Sequence, residues 1–248
     1  MTDMPFHPAC CTPLAYHFPL PSPVAGSAFA SCGFEPSRLL IDDFERSGIL
    51  KPASIERSVA KRQAEFLAGR LCARAALAQL GLPQVAIPIG EDRAPVWPQG
   101  VTGAITHGQG WAAAIVAPAG YQRGLGLDVE TLLEPDRAQR LAAEILTPAE
   151  LARLPTDPTQ AALAITLTFS LKESLFKALY PLVRQRFYFE AAEVLAWPPD
   201  GKARLRLLTD LGAGWTYGTE LTGQFCVQGS RLLSLVCIPA LDDERRFS

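Results

Sequence analysis

The sequence lacks the spacings from which structural zinc sites are built. Its six cysteines (Cys10, Cys11, Cys32, Cys72, Cys226 and Cys237) contain no CxxC pair and there are only three histidines, which excludes the paired-ligand patterns of zinc domains. Free thiols in a reducing compartment are the expectation that follows. No apolar run approaches the roughly 20 residues that a membrane-spanning helix needs. Met1 to His7 carry no basic segment leading into a continuous apolar stretch; they do not read as a secretory signal, and a cytoplasmic address is expected. Positive charge is not in excess either: 23 Lys and Arg against 25 Asp and Glu leave a net charge of −2. The molecule as a whole has no electrostatic reason to seek nucleic acid or an anionic membrane, so any anionic ligand must be held by a local cluster of cations.

What is present is an ordinary globular composition, 48% hydrophobic and 19% charged over 248 residues. At this length roughly 70–75% of the unfolded chain's surface can be buried, enough for one large domain or two small lobes. Residues 1–56 are rich in proline and glycine, Pro19-Leu20-Pro21-Ser22-Pro23 above all, which predicts an irregular packed arm. From Ile55 to Leu80 the apolar residues Val59, Phe66, Leu67, Leu71 and Leu77 recur at helical spacing until Gly81 and Pro83 stop the run, predicting a long helix with Gly69 inside it. Gly103 to Thr106 and Trp111 to Ala117 read as two strands of a hairpin around a turn-like His107-Gly108-Gln109-Gly110.

Gly124-Leu125-Gly126-Leu127-Asp128-Val129-Glu130 alternates cleanly. It predicts a strand with Leu125, Leu127 and Val129 on one face and Asp128 with Glu130 on the other. Thr147-Pro148-Ala149-Glu150 reads as a helix start with Thr147 as N-cap. Phe169 to Leu179 is a second strong helix, its face of Ser170, Glu173, Ser174 and Lys177 set apart from the Leu171, Leu175, Leu179 stripe. Ala203 to Leu207, Gln224 to Gln228 and Leu232 to Ile238 read as strands. Pattern alone supports an α+β fold.

Two carboxylates at i, i+2 on a strand, such as Asp128 and Glu130, can hold one hard cation from the same side, and Mg²⁺ typically takes one or two carboxylates plus phosphate oxygens and water. By itself such a pair on an exposed strand face is as readily solvated. Glu173 and Lys177 at i, i+4 by themselves form an ordinary helix-surface pair, worth about 0.3–0.5 kcal/mol. What sets them apart is the string Phe169-Ser170-Leu171-Lys172-Glu173-Ser174-Leu175-Phe176-Lys177, about forty residues after Gly-Leu-Asp128-Val-Glu130. Together the two strings resemble the G-[IVL]-D-x-E and [FW]-[SC]-x-K-E-[SA]-x-x-K motifs of the 4′-phosphopantetheinyl transferases. Lys61 to Arg70, Glu91 to Pro98 and Gly103 to His107 are similar to the branch that contains enterobactin synthetase component D. The resemblance runs from about Ile55 to Leu182.

The resemblance implies a magnesium-dependent enzyme that moves the phosphopantetheine arm of coenzyme A to a serine of an apo acyl, aryl or peptidyl carrier protein, releasing adenosine 3′,5′-bisphosphate. It implies two lobes related by a pseudo-twofold, residues 1–120 and 121–248, each a long helix on a small antiparallel sheet, with the site in the cleft between them. It also implies Asp128, Glu130 and Glu173 as Mg²⁺ ligands, with the Val129 backbone contributing through the water shell, and Glu173 with Lys177 as the catalytic pair. Arg62, Arg70, Asp92, Arg93, Ala94, Pro95, Thr106, His107, Asp128 and Lys177 are then expected around the coenzyme. Many relatives carry a lysine beside the proline where this chain has Ala94, which leaves Arg93 to supply that charge. Coenzyme A brings about four negative charges, and Arg62, Arg70, Arg93, His107 and Mg²⁺ would concentrate positive charge against them. A basic surface near Arg184 and Arg186 is expected to receive the carrier, and the enzyme is expected to act as a monomer.

Three other classes compete. Ser174-x-x-Lys177 has the spacing of penicillin-binding serine enzymes, but no S-D-N or K-T-G follows. Gly124-x-Gly126 suggests a dinucleotide turn, but the third glycine is missing and a strand continues where a helix should open. A non-catalytic coenzyme-binding module would keep Arg70 and His107 without needing Asp128, Glu130, Glu173 and Lys177 together.

Overall fold

The alternation of residues 122–131 becomes the seam on which the fold is built. The computed structural model describes residues 6–197 and 199–240; the reading of Met1 to Pro5 as free of an export signal lies outside these. In chain order the elements are β1 (Ala28–Gly33), α1 (Asp43–Arg46), α2 (Ala53–Glu56), α3 (Ala60–Gln79), β2 (Val101–Gly108), β3 (Trp111–Pro118) and β4 (Gln122–Thr131). There follow α4 (Pro135–Ile145), α5 (Pro148–Leu151), α6 (Pro158–Val183), β5 (Ala192–Ala196), β6 (Lys202–Leu207), β7 (Glu220–Gln228) and β8 (Arg231–Pro239). They form two antiparallel sheets, β1-β3-β2 and β4-β8-β7-β6-β5. The expected α+β class is therefore the observed one, with α3 packed on the first sheet and α6 on the second.

Strand periodicity explains how one chain makes three cores. On β3 the even positions Ala112, Ala114 and Val116 join the core beneath α3, while Ala113, Ile115 and Ala117 turn the other way. There they meet Leu125, Leu127 and Val129 of β4 and Leu233 and Leu235 of β8, so this middle core binds the two sheets together. Each such leucine, fully buried, contributes about 1.5–3 kcal/mol. On β8 the alternate residues Leu232, Val236 and Ile238 enter the core beneath α6. The sheets also touch edge to edge, where Val129 N donates to Thr106 Oγ1 at 3.0 Å.

The other face of β4 lies unusually close to α6. A Cβ on Gly124 would stand 2.3 Å from the Ala178 carbonyl oxygen, and one on Gly126 would stand 1.8 Å from that of Ser174. These two glycines are there for backbone contact between strand and helix, the true content of the Gly-x-Gly string. Gly69 serves α3 differently, making room for a side chain of β2: a Cβ there would fall 2.8 Å from Ile105 Cγ2.

The structure corrects three local expectations. The proline-rich first segment is not wholly irregular: Ala28 to Gly33 form β1, paired in register with Val116 to Trp111 of β3. Leu20 from the same segment enters the middle core, and Ser22 exchanges backbone hydrogen bonds with the Gln224 side chain of β7. His107 and Gly108 are not in the hairpin turn but on β2, opposite Ala112 and Trp111, and only Gln109 and Gly110 make the turn. The predicted helix 169–179 is the second half of a 26-residue helix, α6, begun at Asp157, whose side chain accepts from Gln160 N. The Thr147 start is as expected, a capping box in which Glu150 answers Thr147.

Candidate active site

The close approach of β4 to α6 sets Asp128 directly against the helix. Lys177 Nζ lies 2.6 Å from Asp128 Oδ1 and donates to the Leu127 carbonyl at 3.1 Å. Ser170 donates to Asp128 Oδ2 at 2.9 Å. Ser170 and Ser174 each lie 2.8 Å from Ser234 Oγ of β8. Asp128 is thus only 4% exposed, a carboxylate whose two oxygens are already paired and not a solvated strand acid. Lys177 keeps 29% of its side chain exposed, so its ammonium reaches the site while its neighbours stay dry.

Glu130 and Glu173 share this surroundings. Glu130 lines a cavity of about 300 Å³ with Gly108, Gln109, Val129, Thr131, Ser230 and Arg231. Burial and the charge of Asp128 push its carboxyl up to about 7, against the pull of Lys177. Glu173 is also raised, chiefly by burial, with Lys177 pulling it down and Asp128 pushing it up. It opens into a cavity of about 180 Å³ walled by Phe176, Arg186, Phe187, Tyr188 and Phe189.

Among the described residues no three His, Cys, Asp or Glu side chains close on a single point, so the protein by itself forms no complete metal cage. The donor set nonetheless fits Mg²⁺: the charge of Asp128 helps raise the proton affinity of the partly buried Glu130 and Glu173, a repulsion that a hard divalent cation relieves, and such a cation needs only one or two carboxylates when phosphate and water supply the rest.

Across the β2–β4 edge stands a second cluster. Arg62 NH1 lies 2.7 Å from His107 Nε2. Glu65, buried on the same helix, places Oε2 3.4 Å from Arg62 NH1 and 3.7 Å from His107 Nδ1. Burial is the first cause of a lowered His107 pKa; Arg62 and Lys177 push the same way, and Glu65 and Asp128 oppose. Thr106 is buried and its hydroxyl is occupied by Val129 N, so it holds the seam beside His107.

The remaining expected residues are spread more widely. Arg70 is buried; its Nε donates to the Ile87 carbonyl at 2.6 Å, its guanidinium sits 4.4 Å from the Phe66 ring centroid, and burial with the neighbouring Arg62 draws its pKa down to about 10. It borders a separate cavity of about 360 Å³ with Lys51, Phe66 and Ile87. The 90–95 loop is a tight turn in which Asp92 Oδ1 accepts from Ala94 N at 3.0 Å, Gly90 N donates to the Ala94 carbonyl, and Ile89 bridges to Pro95. Arg93 takes a left-handed φ of 69° and is exposed. Arg184, the left-handed cap of α6, lies 3.9 Å from Asp92 across that loop, and Arg186 lines the cavity of Glu173.

Sequence reasoning left two residues without a role. Lys172 also borders the cavity of Glu173, but its ammonium is taken up by buried partners, donating to Glu150 Oε2 at 2.7 Å and to the Ile145 and Phe189 carbonyls at 2.9 Å each. Glu150 also accepts from Thr147 N and Val194 N, so the capping-box acid is a buried counter-ion that ties α5 and β5 to α6. The other is Glu65: an acid three residues from an arginine on a helix carries no signal of burial, and its contact with His107, 42 residues on, exists only in the fold.

Residues 51–117 match the family model of the 4′-phosphopantetheinyl transferase N-terminal domain, and residues 124–230 match that of the 4′-phosphopantetheinyl transferase superfamily. The chain is 39% identical over 183 residues to 4′-phosphopantetheinyl transferase Npt of Nocardia iowensis, covering 73% of this chain and 78% of that protein. It is 37% identical over 193 residues to 4′-phosphopantetheinyl transferase Svp of Streptomyces mobaraensis, covering 75% and 72%. Against enterobactin synthase component D of Escherichia coli K12 it is 37% identical over 156 residues, covering 63% and 72%. Similarity that takes in both sheets and more than two thirds of these relatives has one reading: the chain belongs to the 4′-phosphopantetheinyl transferase superfamily and is a transferase of that type.

Proposed function

We propose that this transferase moves the 4′-phosphopantetheine arm of coenzyme A to a serine of an apo acyl, aryl or peptidyl carrier protein and releases adenosine 3′,5′-bisphosphate. The observation that carries the reading is the meeting of β4 with α6, where Asp128, Glu130, Glu173 and Lys177 gather beside the Arg62–His107 pair. Cations and acids in one cleft suit a polyanionic substrate whose charge must be neutralised while a hydroxyl attacks it. In the reaction the serine oxygen bonds to the β-phosphorus, and the bond from that phosphorus to the bridging oxygen of the α-phosphate breaks. The leaving nucleotide keeps the electron pair.

Asp128, Glu130 and Glu173 would hold Mg²⁺, with the Val129 backbone reaching its water shell. When bound, the cation supplies neutralisation of the pyrophosphate charge. Glu173, its proton affinity raised by burial, accepts the serine proton directly or through one water. Lys177 holds Asp128 in place and faces the departing charge. Arg62, Arg70 and His107 meet the coenzyme's phosphates, with Thr106 supporting His107. Asp92, Arg93, Ala94 and Pro95 line the adenine end, and Arg184 and Arg186 present a basic surface to the carrier.

Two lobes, residues 1–120 and 121–248, are part of the same reading. The change from one sheet to the other between β3 and β4 supports it, as do family models that stop and start on either side of Gly120. Free thiols at all six cysteines support a cytoplasmic setting, and no described helix is long and apolar enough to cross a membrane. The test is chromatographic detection of adenosine 3′,5′-bisphosphate from coenzyme A. Release is expected only with apo carrier and Mg²⁺ together, stopped by chelation and restored by added metal. Release that is independent of the carrier would refute the transfer.

A further inference from the structure

Four carboxylates are buried among the described residues: Asp43, Glu65, Asp128 and Glu150. Asp43 accepts from Leu40 N, Glu150 answers Lys172, and Asp128 answers Lys177. The neighbours of Glu65 are instead two groups of the coenzyme cluster, Arg62 and His107. Burying an ionised carboxylate is costly unless cations or donors face it, so this placement calls for a role in that cluster.

Arg62 NH1 donates to His107 Nε2 at 2.7 Å. An arginine has no lone pair to offer, so that nitrogen must be the acceptor, and the proton of the neutral ring sits on Nδ1, the atom facing Glu65. The Arg62 and His107 contacts of Glu65, at 3.4 and 3.7 Å, are longer than a settled charge-assisted bond. An arriving phosphate would give Arg62 a better acceptor and release Nε2, which can then take a proton from solvent and donate to the same anion. The resulting imidazolium would be flanked by Arg62 from α3 and Lys177 from α6, with Glu65 and Asp128 as the opposing charges.

We propose that Glu65 is a positioning residue of the coenzyme site, holding the Nδ1-protonated tautomer of His107 and the reach of Arg62 so that both turn to one phosphate. This rests on the reading that Arg62 and His107 meet coenzyme A.

The experiment is calorimetric binding of coenzyme A to the full chain in a double-mutant cycle. Glu65→Gln and His107→Ala are each expected to weaken binding about tenfold, as loss of a charged hydrogen-bond partner does. The double variant should fall within about twofold of the weaker single one, because the two residues act as a unit. Glu65→Asp, which keeps the charge, should hold affinity within about threefold of the parent. Weakening by His107→Ala with none by Glu65→Gln, or fully additive losses, would overturn the role of Glu65 while leaving the coenzyme site standing. No loss from His107→Ala would overturn both. A measurement that needs no variant is the ¹⁵N shifts of the His107 ring in the free parent protein: protonated Nδ1 with bare Nε2 is expected, and the opposite tautomer would refute the proposal.

Discussion

Lys177 Nζ and Asp128 Oδ1 meet at 2.6 Å across the contact between α6 and β4, 49 residues apart in the chain. Asp128 therefore fastens the two elements together, and in the proposed reaction its charge has a second use. Asp128→Asn keeps the shape and an acceptor for Ser170 but loses the charge that answers Lys177. It is expected to cut turnover by about 100-fold or more and to lower stability by about 1–3 kcal/mol. Transfer assays and denaturant unfolding check the two parts separately, and wild-type turnover in a folded variant would remove Asp128 from the chemistry.

Gly126→Ala tests the backbone contact itself. Its Cβ would fall 1.8 Å from the Ser174 carbonyl oxygen, and main-chain atoms on both sides leave nothing flexible to give. Overpacking of this kind costs about 1–3 kcal/mol or more, and separating β4 from α6 should lower turnover as well. Urea midpoints for the parent and the variant measure the first effect.

Lys172 should matter for folding without touching the substrate. Lys172→Met leaves Glu150 buried without its cation, and breaking a buried pair from one side costs about 3–5 kcal/mol. Lys172→Met with Glu150→Gln should recover part of that loss, since the neutral amide removes the buried charge while its oxygen can still accept from the backbone N–H groups that Glu150 serves. Thermal melts of the two variants decide it.

Proton and metal should compete at Glu130. Burial and Asp128 raise its pKa from the ordinary 4.5 to about 7, so between these values the folded protein holds a proton that the unfolded chain has released. The stability contributed by that protonated form is fully present below about pH 4.5 and is lost as pH rises through about 7. Metal-free protein should thus weaken from about pH 5 to about pH 8 as far as this group is concerned, and added Mg²⁺ should restore stability chiefly at the upper end. The apparent affinity for Mg²⁺ should rise over the same range. Melting temperatures with chelator and with Mg²⁺ at both pH values test this; a metal effect that does not depend on pH would contradict it.

Much of this was legible in the letters because strands and helices repeat with fixed periods. The alternation of 124–130 placed Leu125, Leu127 and Val129 in the core and Asp128 opposite them, and the 3.6-residue period put Ser170, Ser174 and Lys177 on one face of α6. Other features depend on contacts between distant segments. The glycines at 124 and 126 have meaning only once Ser174 and Ala178 lie above them. The burial of Asp128 needs Ser170 and Lys177, and β1 is made a strand by pairing with β3 in spite of the prolines around it. Lys172 and Glu65 are written as ordinary charged helix residues, and their partners come from other elements.

Transfer to a carrier is read out by one mass measurement. An apo carrier protein incubated with this chain, coenzyme A and Mg²⁺ should gain the mass of one phosphopantetheine group on its serine. Asp128→Asn and Glu173→Gln should leave nearly all of the carrier unmodified over the same time. An unmodified carrier with the parent enzyme, across acyl, aryl and peptidyl carriers, would contradict the account, as would full modification by both variants.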